Sequence, residues 1–465
     1  MHSHTPDRLA DDTKRLSWKA IRHIAPLLGL LGLVAYFDRI SVAFAGPHGM
    51  NDDLELTATA FGFVVGVFTI GYVLFEVPSG AFVTRLGPRR WIVRVMLTWG
   101  LIQCLIAFAP NFELLLVGRF LLGVAEAGFT PSVFYLFTVW FIRGYRPILF
   151  MSYGLFIGVS GIFGPALAGV IVEFGNNLAI EGHPGWRFLL LVFGLLALVA
   201  AIPAARLIAD NPDDARWLTQ DEKQRYKSIL AADAEGANAP AVSMKQVLLD
   251  WRPWVMGFGF FSLFYATYTI TIWAPTIVAG FQEQFGTQYT TLQASLITGI
   301  PTLIGVSGTI VAATLAAKWG RSAGLTSVAA TIGAVGCFIT TLAPGPGLTI
   351  VALGMVALGG QVGASLFIPI VTRVFAGTGA YAAIALVNSM GAFAGFVSPT
   401  VTGALRDLTS NQNTGFYVMI ALLICGALIT MFAEGQARRV ERTLGTANAA
   451  ALLTDNPSPA QKGAK

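Results

Sequence analysis

Four ionisable side chains stand inside apolar runs of the first 130 residues: Asp38 beside Arg39, and Arg119 and Glu126 at the two ends of Arg119-Phe-Leu-Leu-Gly-Val-Ala-Glu126. A charge at bilayer depth is costly, so a membrane helix keeps one where it faces a partner, a cavity or a transported species. A spacing of seven puts Arg119 and Glu126 on nearly one helical face but roughly 10 Å apart along the axis. They cannot pair with each other, and Asp38-Arg39 on another helix offers both signs. Burial and a neighbouring arginine act on a carboxyl in opposite senses, and opening the site to one side or the other changes the balance. Asp38 and Glu126 therefore suit loading a proton on one face and releasing it on the other. Arginine stays charged and presents a planar fork, so Arg39 and Arg119 suit an organic carboxylate.

Neutral polar groups complete the set. Tyr36 lies two residues before Asp38, and Tyr72 is in the second apolar run. The second half of the chain offers Tyr265, Tyr268, Gln361 and Asn388, the last with its amide in Val387-Asn388-Ser389-Met390-Gly391. Glu76 lies near the end of its run, where Arg94 is the expected partner in a structural latch. Shifting the chain by 233 aligns Gly80-Ala-Phe-Val-Thr-Arg85-Leu-Gly87-Pro-Arg89-Arg90 with Ala313-Thr-Leu-Ala-Ala-Lys318-Trp-Gly320-Arg321. In that register Asp38, Arg39, Arg119 and Glu126 fall on Thr271, Ile272, Ala352 and Gly359. Charge chemistry belongs to the first half, and the second supplies neutral contacts.

The elements that position these residues are membrane helices. With 55% hydrophobic residues, 12% charged and a mean hydropathy of +0.66, the 465-residue chain is too apolar for a soluble protein. The apolar runs are long and continuous, which selects helices over an alternating β-barrel. Twelve spans are expected near 21–45, 58–83, 91–110, 112–140, 148–174, 186–209, 254–281, 288–317, 324–343, 347–374, 380–406 and 414–434. Of 30 Lys and Arg, 26 lie on connections that share a side with both termini, which places that side in the cytoplasm. The basic balance is thus a topology signal and excludes nucleic-acid binding. Cys104, Cys337 and Cys425 occupy three different spans, so no disulfide is expected. The first run carries Asp38-Arg39 and no small-residue cleavage site, so no signal peptide is expected. His2, His4, His23, His48 and His183 are scattered.

The expected organisation is a cytoplasmic tail (1–20), a six-helix bundle (21–209), a central loop (210–253), a second six-helix bundle (254–434) and a cytoplasmic tail (435–465). In the loop, Asn211-Pro212-Asp213-Asp214 reads as the cap of a short amphipathic helix, and Ala231 to Ala241 as flexible linker. Two related bundles with a site between them are the outline of an alternating-access carrier. Gly154, Gly158, Gly161 and Gly164 allow close helix approach.

The Gly80 to Arg90 loop resembles the signature of the major facilitator superfamily, with Thr84 where the family has an acidic residue. Tyr36-Phe-Asp38-Arg39, Gly71-Tyr72-Val-Leu-Phe-Glu76-Val-Pro78-Ser79 and the Arg119 to Glu126 run are similar to the anion:cation symporter branch, in particular to bacterial phthalate, hydroxyphenylacetate, tartrate and sugar-acid permeases. Tyr268-Thr-Ile-Thr-Ile-Trp273-Ala-Pro275 and Ala385-Leu-Val-Asn388-Ser-Met-Gly391 extend the likeness, which covers about residues 20 to 435. It implies proton-coupling roles for Asp38 and Glu126, substrate contact for Arg39, Tyr72 and Asn388, and Arg119 as partner of the acids. It also implies an inner gate in the loop, at Gly80, Arg85, Gly87, Arg89 and Arg90. Two departures, Ala392 for a second asparagine and Phe367 in place of a tryptophan, fall at substrate-facing positions.

The expectation is a multi-pass inner-membrane carrier, monomeric and without cofactor, driving uptake of a small organic anion with the proton as coupling ion. Its partners are that anion, the proton and the lipid bilayer. Two rivals are an exporter working by proton antiport and a non-transporting sensor on the same fold. No catalytic triad, metal cluster or phosphate loop appears, so an enzyme is not expected.

Overall fold

The computed structural model describes residues 6–178, 184–235, 249–375, 378–411 and 413–454. His2, His4, His183, the 236–241 part of the expected linker and the 455–465 part of the tail lie outside them. The fold is all helical. The first half contains α1 (Pro6–Ala45), α2 (Ala58–Leu86), α3 (Pro88–Ile106), α4 (Phe112–Glu126), α5 (Phe129–Trp140), α6 (Arg146–Asn177) and α7 (Gly185–Leu207). A loop helix, α8 (Gln220–Glu235), follows. The second half has α9 (Trp251–Ala279), α10 (Thr291–Trp319), α11 (Ser322–Leu342), α12 (Pro346–Val374), α13 (Thr378–Thr409) and α14 (Thr414–Thr454). Among the described residues ten helices are long and apolar enough to cross a membrane: α1, α2, α6, α7 and α9 to α14.

Local chemistry explains the boundaries. Thr57 accepts from the Ala60 amide to start α2, and Thr290 and Gln293 form a capping box at the start of α10. Gly87 (φ +83°) and Gly320 (φ +60°) end the same two helices at positive φ, 233 residues apart, Gly320 as a left-handed cap. The internal repeat thus has a structural counterpart at those two turns.

Four expectations need correction. The run 112–140 is two helices, because Gly128 adopts φ +105°. A side chain there would collide with Ser79 and Trp91, while the Ser79 hydroxyl donates to the Ala127 carbonyl at 2.6 Å. The expected tail is helical over 6–20, forming the first turns of α1, and is held against α8: Lys19 Nζ donates to Glu222 at 2.6 Å, Arg225 pairs with Asp12 at 2.9 Å, and His23 stacks on Trp217. Asn211 caps only a short 3₁₀ turn, Pro212–Asp214, and α8 begins after Thr219. Residues 231–235, read as linker, belong to α8. The Lys19 ammonium and the Thr219 amide hold the Glu222 carboxyl below the usual carboxylate range. The tether is therefore intact at neutral pH and weakens as pH falls through that lowered pKa.

Each half has a core, and Ile272 and Trp273 of α9 join that of the first. Trp99, Phe129, Phe137 and Trp140 fill the first, and Phe260, Leu263, Phe367 and Leu423 fill the second. The halves meet closely at one end of the molecule, the end with the 46–57 connection. There α2 and α13 approach until the Pro399 carbonyl occupies the space of a Gly62 side chain, and Phe63 packs edge-on to Phe396. Asp407 of α13 closes the seam, accepting from the Ala58 amide (3.2 Å), the Thr59 amide (2.7 Å) and the Thr59 hydroxyl (2.5 Å). It caps a helix of the opposite half. On the same seam Gly299 of α10 abuts the Ile162 carbonyl of α6. Towards the other end, Gly80 on α2 and Gly154 on α6 have no atom within reach of an added side chain, so the halves diverge there.

Asp407→Ala removes the cap, and Gly62→Val forces α2 from α13. Spin labels at Glu55 and Leu408 should then report a longer separation, the open population growing about tenfold, equivalent to about 1.4 kcal/mol. An unchanged distance distribution in both variants would show that the seam is held elsewhere.

Candidate functional site

The four charges converge inside the first half. Arg39 leaves α1 and donates from Nε to Glu126 Oε1 at 2.6 Å. Glu126 is the last residue of α4, just before the Gly128 break, and its side chain is fully buried whereas that of Arg39 is 35% exposed. Asp38 and Arg119 are buried at 0% and 1%. Both Asp38 carboxyl oxygens and the Arg119 Nε and Nη1 lack a hydrogen-bond partner in the protein, although Arg119 lies within electrostatic range of both acids. The expected scheme is therefore only partly realised. Arg39 takes Glu126, Arg119 and Glu126 make no direct pair, and Asp38 and Arg119 balance each other without contact.

Aromatic rings on α2 supply the rest. The Arg39 Cζ lies 4.7 Å from the Tyr72 ring centre and 5.7 Å from that of Phe68, while the Arg119 Cζ is 4.9 Å from Phe68. Phe68 thus carries both guanidiniums, each stacking contributing about 0.5–2 kcal/mol. The sequence reading missed this ring, although it stands one turn before Tyr72. It also missed Gln103 of α3, whose buried amide donates to Ser41 at 3.0 Å while Ser41 donates to the Asp38 carbonyl at 2.6 Å. A lone amide in an apolar span was the available signal.

Tyr36 and Tyr268 are half-buried and near enough to Arg39 to sense its charge. Tyr36 lines a cavity of about 20 Å³ at the seam with Thr271 and Thr302 of the other half, room for about one water. Tyr268 packs against Gly395 of α13. Asn388, two turns before Gly395 and thus on the same face, is exposed. Gln361 is placed differently, its amide lying over Gly305 between α12 and α10. Tyr265 turns away and bonds Thr402 at 3.3 Å.

The latch between Glu76 and Arg94 is absent. Arg94 stacks on Trp91 of its own helix, 4.5 Å from the ring centre. Glu76, one turn after Tyr72, shares the face of α2 that meets Arg39 and senses its charge. The loop residues lie apart from this cluster, with Arg85, Arg89 and Arg90 exposed at the diverging end. There Asp210 accepts from the Arg89 amide at 2.7 Å beside Gly87, and the Thr84 hydroxyl only returns to its own helix at Ala81. An acid from the central loop is thus bonded to the turn where the family's own acidic residue is replaced. No group of His, Cys, Asp and Glu able to hold a metal occurs among the described residues.

The family model described as Major Facilitator Superfamily matches residues 28–399. The chain belongs to the major facilitator superfamily. It is 31% identical over 422 residues to a protein named putative tartrate transporter from Agrobacterium vitis, covering 91% of this chain and 95% of that one. It is likewise 31% identical to a quinolone resistance transporter from Acinetobacter baumannii, covering 90% and 94%. A bacterial homologue of the human lysosomal transporter Spinster, solved in an inward-facing and occupied conformation, shares the fold with a TM-score of 0.68 at 14% identity, covering 91% of this chain and 97% of that one. The chain is thus a multi-pass membrane transporter and not an enzyme.

The four charges of the cluster, Asp38 and Glu126 against Arg39 and Arg119, sum to zero when all are ionised. Arg119→Met should lower stability by about 3–5 kcal/mol by leaving an acid uncompensated. Adding Asp38→Asn should restore most of it, measured as the unfolding midpoint in detergent. A double variant no more stable than the single would break the charge-balance account.

Proposed function

We propose that this transporter takes up a small organic anion by proton-coupled symport across the inner membrane. One observation carries the reading: Arg39, held at one edge by the buried Glu126 and stacked on Tyr72, keeps 35% of its side chain exposed. A guanidinium so held offers its open edge to a carboxylate. Glu126 and Asp38 carry the proton. When Glu126 is protonated its hold on Arg39 loosens, and Arg39 receives the substrate carboxylate with Tyr72, Tyr36, Tyr268 and Asn388 around it and Gln361 behind. Arg119 compensates whichever acid is charged. The loaded halves rock about the site, and proton loss on the cytoplasmic side releases both.

The same reading assigns twelve spans, counting α4 and α5 as one, with bundles at 21–209 and 254–434, both termini cytoplasmic and a monomeric carrier. On that topology the closed seam at Asp407 faces outwards and the diverging end, with the Gly80 to Arg90 loop as its gate, faces the cytoplasm. The relative named as a tartrate transporter supports a hydroxy acid or sugar acid, and aromatic acids share the same carboxylate. The relative named for quinolone resistance favours a second reading, proton-driven export.

In proteoliposomes Glu126→Gln should abolish accumulation driven by a pH gradient while sparing substrate counterflow. Accumulation at the wild-type level would sink the coupling assignment. Thermal-shift screening should show stabilisation by carboxylic acids and none by amines, and the reverse would favour the exporter.

A further inference from the structure

We propose a binding site for an anionic phospholipid in the groove between α3 and α7, outside the transport site, its phosphate held by Arg90, Arg94, Arg206 and Arg216. Cations elsewhere on this end are largely paired: Lys19 with Glu222, Arg225 with Asp12, Lys227 with Asp213, Arg252 with Asp250 and Arg373 with Glu434. By contrast Arg89, Arg90, Arg94, Arg206 and Arg216 are all exposed, and none makes an ion pair within 4.0 Å among the described residues. They are gathered around two adjoining cavities. One of about 610 Å³ is lined by Arg89, Arg90, Arg94 and Leu97, and one of about 540 Å³ by Arg89, Arg206 and Arg216. Asp210 and Asp214 line the first cavity and Asp214 the second, so five positive charges face two negative ones. Asp210 is already engaged by the Arg89 amide.

The groove continues downwards as an apolar surface. Leu97, Leu101 and Leu105 form one stripe on α3, exposed by 46%, 55% and 63%, facing the open side beside Val199 and Ile202 of α7. Between the stripes α3 and α7 touch backbone to backbone at Gly100 and Gly194, which makes the groove. A phosphodiester among arginines with two acyl chains along leucines is the occupant that matches both parts, basic pockets between membrane helices being known to take such headgroups. The two aspartates commit the choice further: they accept from headgroup hydroxyls and repel a second phosphate, which favours phosphatidylglycerol.

The test is lipid retention by the detergent-purified full chain in native mass spectrometry, with added phosphatidylglycerol, phosphatidylcholine, and soluble glycerophosphoglycerol as the headgroup alone. Phosphatidylglycerol should bind in preference to phosphatidylcholine, with glycerophosphoglycerol failing to compete. Arg94→Gln, Arg206→Gln and Arg216→Gln should each weaken it about fivefold, whereas Lys318→Gln with Arg321→Gln, which removes charge from the same end of the second half, should not. Equal binding of the two lipids, equal loss in the control, or competition by the headgroup alone would overturn the proposal. Should the arginine variants misfold, photoactivatable phosphatidylglycerol on the unaltered chain decides: crosslinks at 97–105 or 195–207 support the site, and crosslinks spread evenly over the surface refute it.

Discussion

Charge neutrality within one buried cluster governs the first half. Asp38, Arg39, Arg119 and Glu126 come from two helices, and the low dielectric around them forbids an uncompensated charge. Only one of the possible pairs is closed, Arg39 with Glu126, and it is the pair whose arginine reaches the open space. The other two charges stay within electrostatic range and uncommitted. A cluster tied in every direction would be a brace. One tied at a single bond can exchange that bond for another without leaving a charge stranded.

The helices around the cluster are arranged to hold that state. Phe68 lies against both guanidiniums, so the arginines share a support on α2 although neither belongs to it. Ser79, further along α2, bonds the backbone at the Gly128 break immediately after Glu126. The second half contributes no charge to this cluster and meets it through Tyr36, Thr271 and close backbone approach, its charged contact with the first half, Asp407, lying away at the end of the seam. Beside the cluster the halves can therefore slide or part without breaking an ion pair, and the charged contact that opening must break is the one at Asp407.

Much of this was legible in the sequence, and what was not has physical causes. Apolar length and charge placement are one-dimensional quantities, so the helices and the four charges could be read directly. Which acid Arg39 takes depends on depth and rotation of α1 against α4, and those are set by packing. Glu76 was assigned to Arg94 on nearness to a helix end, whereas the face it shares with Tyr72 decides its surroundings. The break at 128 was written in Ala127-Gly128-Phe129-Thr130-Pro131, but hydropathy alone runs through it. The helical tail at 6–20 depends on α8, a partner about 200 residues away, as in the Lys19 to Glu222 bond.

The capping of α2 by Asp407 has a mechanical consequence. One helix carries at its start the bonds that shut the seam, in its middle the ring beneath Arg39, and near its end the anchor for the backbone behind Glu126. It behaves as a lever with its latch at one end. A tilt that frees the latch is transmitted along the helix to the ring beneath Arg39 and the backbone behind Glu126, so the state of the seam and the arrangement of the charge cluster answer to one coordinate.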